Sequence, residues 1–345
     1  GSLVESARAQ IYRQQKVSWF ERGLKWFFFE KVLSSKRNLK RIAKALRMYQ
    51  RGGVEWILNR TGIMKMLAPK MAKLQHLSPR INEKFFDESF PEVIRPVGNA
   101  QHRVAFLSGC IMNVAFADVN RDTIEVLLHN GCEVVVPRMQ ECCGSLQAHN
   151  GDFETARKLA RHNIDVFLQH DFEAIVINSA GCGAFMKEYG HYLADDREYS
   201  ERSALLSRKV KDLTEFLVSI DFKKPGHPFN KRVAYHDACH LAHAQRITAE
   251  PRAILEAIPG IDLVDLPEAS WCCGSAGIYN VVHYEDSMQL LSRKMKNVES
   301  THAELIVASN PGCIAQMKLG LDLFECTGEI IHLATLLNRA YAFHD

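Results

Sequence analysis

Eight of the ten cysteines in this 345-residue chain fall into two sets with matching spacing. Cys110 is followed after 31 residues by the adjacent Cys142 and Cys143, and 38 residues further on by Cys182. Cys239 is followed after 32 residues by Cys272 and Cys273, and 39 residues further on by Cys313. Gaps that agree to within one residue are not what independently placed core cysteines produce. Four thiolates per set match the ligand count of a [4Fe–4S] cluster. Neighbouring Cα atoms lie about 3.8 Å apart, so adjacent thiolates can both reach a multinuclear core but crowd a single small ion. Gly109, Gly144, Gly181, Gly183, Gly274 and Gly312 let the backbone turn closely around an inorganic group and leave amides to donate to sulfur. Zinc is the alternative, although neither set contains the Cys-x2-4-Cys knuckle usual in structural zinc sites. Disulfides are disfavoured in a chain without a secretory signal. Cys132 and Cys326 have no counterpart in the repeat and read as core thiols.

The elements that must position these cysteines also repeat. Arg103-Val-Ala-Phe-Leu-Ser-Gly-Cys110 and Arg232-Val-Ala-Tyr-His-Asp-Ala-Cys239 are apolar runs of strand length that share their first three residues and end in Cys. Each is followed by a helical pattern (120–129 and 248–258), a second strand (133–136 and 262–266) and a Cys-Cys-Gly triplet. A long amphipathic stretch comes next, then a buried-strand run leading to the last cysteine of the set (174–182 and 304–313). Strands alternating with helices predict an α/β fold, two Rossmann-like units with mainly parallel sheets. A helix over 201–220 links them, and Lys223 to Pro228 is a breaker. The expected division is a helical segment at 1–100, a first unit at 101–222 and a second at 223–345. In such sheets the loops beyond the strand ends gather ligands.

Charge sets the first segment apart. Residues 1–80 carry 18 Lys/Arg against 4 Asp/Glu, within a chain whose net charge is only +3, so the remainder is acidic. Helices are expected over 4–29, 40–50 and 54–73, with Trp19, Phe20, Trp26, Phe27, Phe28, Phe29 and Trp56 among the basic residues. Such a segment either packs its aromatic face on the α/β body or rests on a membrane interface, basic groups toward lipid phosphates. Apolar residues at 47% and charged residues at 24% are the balance of a globular protein. No run approaches the roughly 20 apolar residues of a spanning helix; the most apolar, 24–33, is broken by Lys25, Glu30 and Lys31. The chain opens on Gly1-Ser2 without an initiator Met, and an upstream portion is expected.

His236, His240 and His243 surround Cys239, and His149 and His283 follow the two triplets. They read as hydrogen-bonded loop residues beside the cysteines. The sharper reading makes His236 and His240 catalytic candidates, a proton relay or donors toward a bound group, with Asp237 orienting one of them. There is no G-x-G-x-x-G fingerprint, phosphate loop, G-x-S-x-G elbow or H-E-x-x-H motif. Nothing suggests that the chain alone activates an organic substrate, and no nucleic-acid partner is expected.

The repeated Cys…Cys-Cys-Gly…Cys pattern resembles the cysteine-rich CCG domain. That domain occurs twice in the cysteine-rich component of heterodisulfide reductase and in the iron–sulfur subunits of glycolate oxidase, lactate-utilisation and anaerobic glycerol-3-phosphate dehydrogenase systems. Asn178-Ser-Ala-Gly-Cys-Gly-Ala-Phe-Met-Lys-Glu-Tyr-Gly190, His236-Asp-Ala-Cys-His-Leu-Ala-His-Ala-Gln245 and Asn310-Pro-Gly-Cys-Ile-Ala-Gln316 look most like the glycolate oxidase iron–sulfur subunit. The resemblance implies [4Fe–4S] clusters, one per repeat or in one repeat only, held by Cys110, Cys142, Cys143 and Cys182 and by Cys239, Cys272, Cys273 and Cys313. It also implies an electron-transfer role beside a flavin-containing dehydrogenase subunit, with electrons passing toward a membrane quinone and the protein peripheral to the inner, cytoplasmic face. Two departures stand out. The ferredoxin portion normal at the N-terminus of that family is not in this chain. The Cys-x-x-Cys that closes each heterodisulfide reductase repeat has Phe185 and Gln316 at its second position, which favours four-thiolate over five-thiolate ligation. A thiol/disulfide reductase and a zinc-stabilised assembly module are the alternatives.

Overall fold

The structure, a computed structural model, describes residues 26–342 together with Trp19 and Gly23. Two sheets form its frame. The first contains β1 (Val93–Ile94), β2 (His102–Phe106), β3 (Cys132–Val135), β4 (Ala174–Ile177) and β5 (Val210–Asp212), in the order β1-β3-β2-β4-β5. Only the β1–β3 pair is antiparallel. The second contains β6 (Lys231–His236), β7 (Ile261–Val264), β8 (Leu305–Ala308) and β9 (Glu329–His332), in the order β7-β6-β8-β9, all parallel. The repeat read from the sequence is therefore a repeat of topology. Val104 pairs with Val134 and Ala174, and its counterpart Val233 pairs with Leu263 and Leu305. β4 and β8 are buried along their whole length, which is why they read as unbroken apolar runs rather than alternating ones.

In each sheet the central strand is followed by a neighbour on one side, and the chain then crosses to the other side. This creates a topological switch point between β2 and β4 and between β6 and β8.

The two units join around an approximate two-fold relation. Helix Ala117–His129 of the first packs on helix Leu333–Ala342 of the second, and helix Leu213–Ser219 packs reciprocally on Ala249–Glu256. Asp122 accepts from Thr335 Oγ1 (2.5 Å) and Asn338 Nδ2 (3.0 Å), and the His129 ring stacks on Tyr341 with centroids 3.9 Å apart. Nearer the strand ends, Ala180 N donates to Ser309 O, and His332 Nε2 lies 2.8 Å from Asn178 O. Two hydrophobic clusters run through the body, and both draw side chains from both units. One contains Leu107, Ile177 and Ile306, the other Phe106, Val176 and Val307.

Some expectations need correction. The 201–220 helix is two helices, Ser200–Lys209 and Leu213–Ser219, with β5 between them. Val210-Lys-Asp212 pairs in parallel with β4, and Asp212 then starts the next helix through a capping box with Glu215. The 54–73 helix breaks into Val54–Thr61, Ile63–Leu67 and Pro69–Gln75, because Gly62 sits at a φ of 69° and Pro69 has no N–H. Helix Lys36–Arg51 begins earlier than expected, with the Ser35 side chain as its cap. Most of the 4–29 helix lies outside the described residues; Phe27–Leu33 forms a wider π-type turn. Phe29, Val32, Leu33, Leu39 and Ala43 bury against the body, while Trp26, Phe27, Phe28, Trp56, Ile57, Met66 and Leu67 stay exposed. No helix among the described residues is long and apolar enough to cross a membrane.

Candidate metal centre

Every cysteine of the two sets lies beyond the carboxyl end of a strand. Cys110, the Cys142-Cys143 pair and Cys182 follow β2, β3 and β4; Cys239, the Cys272-Cys273 pair and Cys313 follow β6, β7 and β8. The glycine after each pair is conformationally required. Gly144 and Gly274 have φ of 95° and 93°, and a Cβ on Gly274 would stand 2.6 Å from Ser287 O. That turn brings the Gly274 amide to 3.4 Å from Cys272 Sγ, where it donates.

Within each set the sulfurs lie against one another; those of Cys110 and Cys142 are 3.5 Å apart. Hydrogen bonds from Cys110 and Cys143 hold Cys142 well below the ordinary thiol range, and one from Cys143 lowers Cys182. Bonding to Cys142 pushes Cys110 and Cys143 up in return. The second set repeats the alternation. Cys239 and Cys273 lower Cys272 to about 2, Cys273 lowers Cys313, and Cys239 and Cys273 are themselves raised. Within each set the same close contacts thus pull two thiols down and push two up, so that four sulfur donors are held together in a nearly buried space.

All eight cysteines line one cavity of about 350 Å³ between the two units. A water molecule claims about 30 Å³, so the space suits a multi-atom group, whereas a single ion would leave most of it empty. Apolar walls include Ile111, Met112, Phe116 and Ile278, and the basic N-terminal segment adds Phe28, Leu33, Leu77 and Pro79.

The histidines divide. His236 is buried beside Cys273 and Cys313, one ligand atom from each of the three lying within 4.8 Å of the others. His240 places Nδ1 at 3.7 Å from Cys239 Sγ and Nε2 at 3.1 Å from His149 Nε2, across the seam. His243 is exposed on a shallow depression with Arg252, and His283 stacks on Tyr279 at the surface, both apart from the cysteines. Asp237 orients neither His236 nor His240. Both its oxygens accept from Arg252, at 2.8 and 2.7 Å.

Several supporting side chains escaped the sequence reading. Asn310 donates to Cys313 Sγ at 3.5 Å and accepts from Gly181 N at 3.3 Å, so it bridges the two units at their last cysteines. Asn163 donates to Cys142 O, Tyr189 Oη donates to Cys143 O at 2.6 Å, and Gln147 Oε1 lies 3.8 Å from Cys142 Sγ. Lys36 reaches from the basic segment to donate to Ser108 Oγ at 2.8 Å, two residues before Cys110, and burial lowers its ammonium to about 8. Asn310 and Tyr189 lie in the motifs singled out above, without any sign there of their partners; Asn163 and Lys36 depend on contacts between residues far apart in the chain, which no local pattern displays.

Phe185 and Gln316 supply no fifth thiolate. Phe185 packs on Tyr189 and Tyr192, and Gln316 bonds Ser287 and Asn280.

Comparison with known proteins agrees with this geometry. A model described as "Cysteine-rich domain" matches residues 104–187 and 233–318, and one described as "Glycolate oxidase iron-sulfur subunit, linker region" matches residues 20–78. The chain is 37% identical over 344 residues to the "Probable glycolate oxidase iron-sulfur subunit" of Bacillus subtilis (strain 168), covering 99% of itself and 78% of that protein. It is 32% identical over 267 residues to the "Glycolate oxidase iron-sulfur subunit" of Escherichia coli (strain K12), covering 76% of itself and 65% of that protein. It is also 32% identical over 236 residues to "Lactate utilization protein A" of Shouchella clausii (strain KSM-K16), covering 68% of itself and 98% of that protein. Among solved structures, a hypothetical protein from Helicobacter pylori shares the fold with a TM-score of 0.54 at 10% identity, over 99% of this chain and 77% of that one. Two cysteine-rich repeats behind a matching linker, with identity running the length of the chain, mean that it belongs to the family of glycolate oxidase iron–sulfur subunits.

Proposed function

We propose that this chain is the electron-transfer subunit of a flavin-linked 2-hydroxy-acid dehydrogenase of the glycolate or lactate type. In this reading Cys110, Cys142, Cys143 and Cys182 hold one [4Fe–4S] cluster, and Cys239, Cys272, Cys273 and Cys313 hold another. Residues 1–100 form the basic segment, 101–222 the first cysteine-rich domain and 223–345 the second. The observation that carries the reading is the convergence of eight cysteines, from two equivalent switch points, on one cavity. Such clusters would supply one-electron transfer between a partner protein's flavin, reached through ferredoxin-type clusters outside this chain, and a membrane quinone.

The chain's own groups have defined tasks. The thiolates bind; the Gly144 and Gly274 turns and the Asn310 amide fix their positions; the apolar walls limit water. The exposed Trp26 and Phe27 precede Phe28, which is itself partly exposed and lines the cavity with Leu33, and Lys31 stands 4.9 Å over the Trp26 ring. Aromatics beside cations suit a surface that rests on anionic lipid, which would place the protein peripherally at the inner, cytoplasmic face of the membrane.

The test is iron, zinc and acid-labile sulfide content of anaerobically prepared protein, with EPR before and after dithionite. About four irons and four sulfides per occupied set are expected, with one set's signal lost in Cys143→Ser and the other's in Cys273→Ser. Zinc equal to protein with no iron, even after anaerobic reconstitution, would overturn the reading in favour of a structural zinc module.

A further inference from the structure

The two cysteine sets are not chemically equivalent. In the aligned segments 103–110 and 232–239, the third residue before the cysteine is Leu107 in the first unit and His236 in the second. Both are buried, at 2% and 1% exposure. Leu107 has nothing to offer a bound group. His236 ends β6 and faces Cys273 and Cys313, within the 4.8 Å grouping described above.

Among the described residues, neither ring nitrogen of His236 meets an oxygen or nitrogen partner, and the groups the ring faces are the sulfurs of Cys273 and Cys313, the second of which it helps hold below the ordinary thiol range. The other deeply buried histidine behaves differently. His332 Nε2 meets Asn178 O at 2.8 Å, and its Nδ1 accepts from Ala334 N at 3.0 Å. The fold can therefore satisfy a buried imidazole and offers only sulfur at position 236. A polar ring excluded from water and left without an oxygen or nitrogen partner is costly unless its partner is not part of the chain. The sulfurs of Cys273 and Cys313 show where that partner sits.

We propose that His236 is an iron ligand of the second site in place of one of its four thiolates, so that the chain carries one all-thiolate centre and one mixed imidazole–thiolate centre. This rests on the cluster reading above. Imidazole is neutral where thiolate is charged, and ligand type helps set an iron–sulfur potential. The two centres therefore titrate at different potentials, and the histidine belongs to one of them alone.

The test uses the full chain, anaerobically reconstituted with iron and sulfide, reduced, and labelled with 15N-histidine. Pulsed EPR should show a strongly coupled nitrogen whose frequency changes between 14N- and 15N-histidine protein. The coupling should persist in Cys143→Ser and in His240→Ala, and should vanish in Cys273→Ser and His236→Leu. His236→Leu installs the residue of the equivalent position, and His236→Gln is the second variant should Leu impair folding. In whichever variant folds, the midpoint potential of the second centre should move while that of the first stays. Full iron loading with no nitrogen coupling, a coupling only as weak as a hydrogen bond gives, or one that survives at position 236 without histidine would overturn the assignment. Absence of iron and sulfide from the unsubstituted chain would instead overturn the cluster reading from which it starts.

Discussion

His332 offers a quantitative test of the seam between the two units. It ends β9, is 2% exposed, and spends both ring nitrogens on neutral-form hydrogen bonds: Nε2–H to Asn178 O of the first unit, and Nδ1 from Ala334 N. Burial lowers it from 6.5 to about 4. Above pH 6.5 the imidazole is neutral in both folded and unfolded chains, and its bonds contribute in full. As the pH falls from 6.5 toward 4, the unfolded chain takes up a proton that the folded one refuses, and stability drains away by about 1.4 kcal/mol per unit. The loss is about 2 kcal/mol at pH 5 and about 3 kcal/mol by pH 4. His332→Gln keeps a donor and an acceptor but cannot titrate. Urea unfolding of metal-free protein, followed by near-UV circular dichroism, should show the variant modestly less stable at pH 7. Between pH 7 and pH 5 it should lose about 2 kcal/mol less than the unsubstituted chain. Other groups titrate in both proteins and cancel in the difference. Parallel pH profiles would refute the reasoning, because they would mean that His332 gains its proton as easily folded as unfolded.

Three further outcomes follow from the geometry. Gly274→Ala forces a Cβ onto Ser287 O at a φ of 93°; a cost above about 1–2 kcal/mol and selective loss of the second set's iron are expected, with iron per chain as the readout and full loading as the contrary result. Asp122→Ala removes the acceptor of both Thr335 and Asn338, and should lower unfolding stability by about 2 kcal/mol, which a urea midpoint measures; an unchanged midpoint would show that this helix pair does not hold the units together. Replacing the exposed Trp26, Phe27 and Trp56 with Ala should weaken co-sedimentation with anionic vesicles roughly tenfold or more; equal binding by the variant, or no binding by the unsubstituted chain, would refute a membrane contact at this surface.

The long-range plan was legible because two signals coincided. Cysteine spacing marked the strand ends, and the shared Arg-Val-Ala opening aligned the two units, so the topology and the cysteines that line the cavity came from one comparison. Short elements were not legible. β1 and β5 have two and three residues, and Val210-Lys-Asp sits inside a helix-like pattern that sheet pairing overrides. The partners of individual side chains were also hidden. Asp237 looked placed to serve a neighbouring histidine, yet Arg252, fifteen residues on, offers a charge-assisted fork that a neutral ring cannot match. That both sets open on one cavity depends on how the units dock, and local periodicity carries no trace of it.

The reciprocal docking of the two units has an evolutionary reading. Helix 117–129 on 333–342 and helix 213–219 on 249–256 are one contact made twice, as in an isologous interface between identical subunits. A lone ancestral unit would have met a second copy through this face, so the gene duplication reads as a homodimer fused into one chain. Fusion replaces an encounter that depends on concentration with a permanent neighbour. It also ends the rule that a substitution on one side must appear on the other. Leu107 and His236 show that freedom in use: equivalent buried positions carry an apolar plug in one unit and an imidazole in the other.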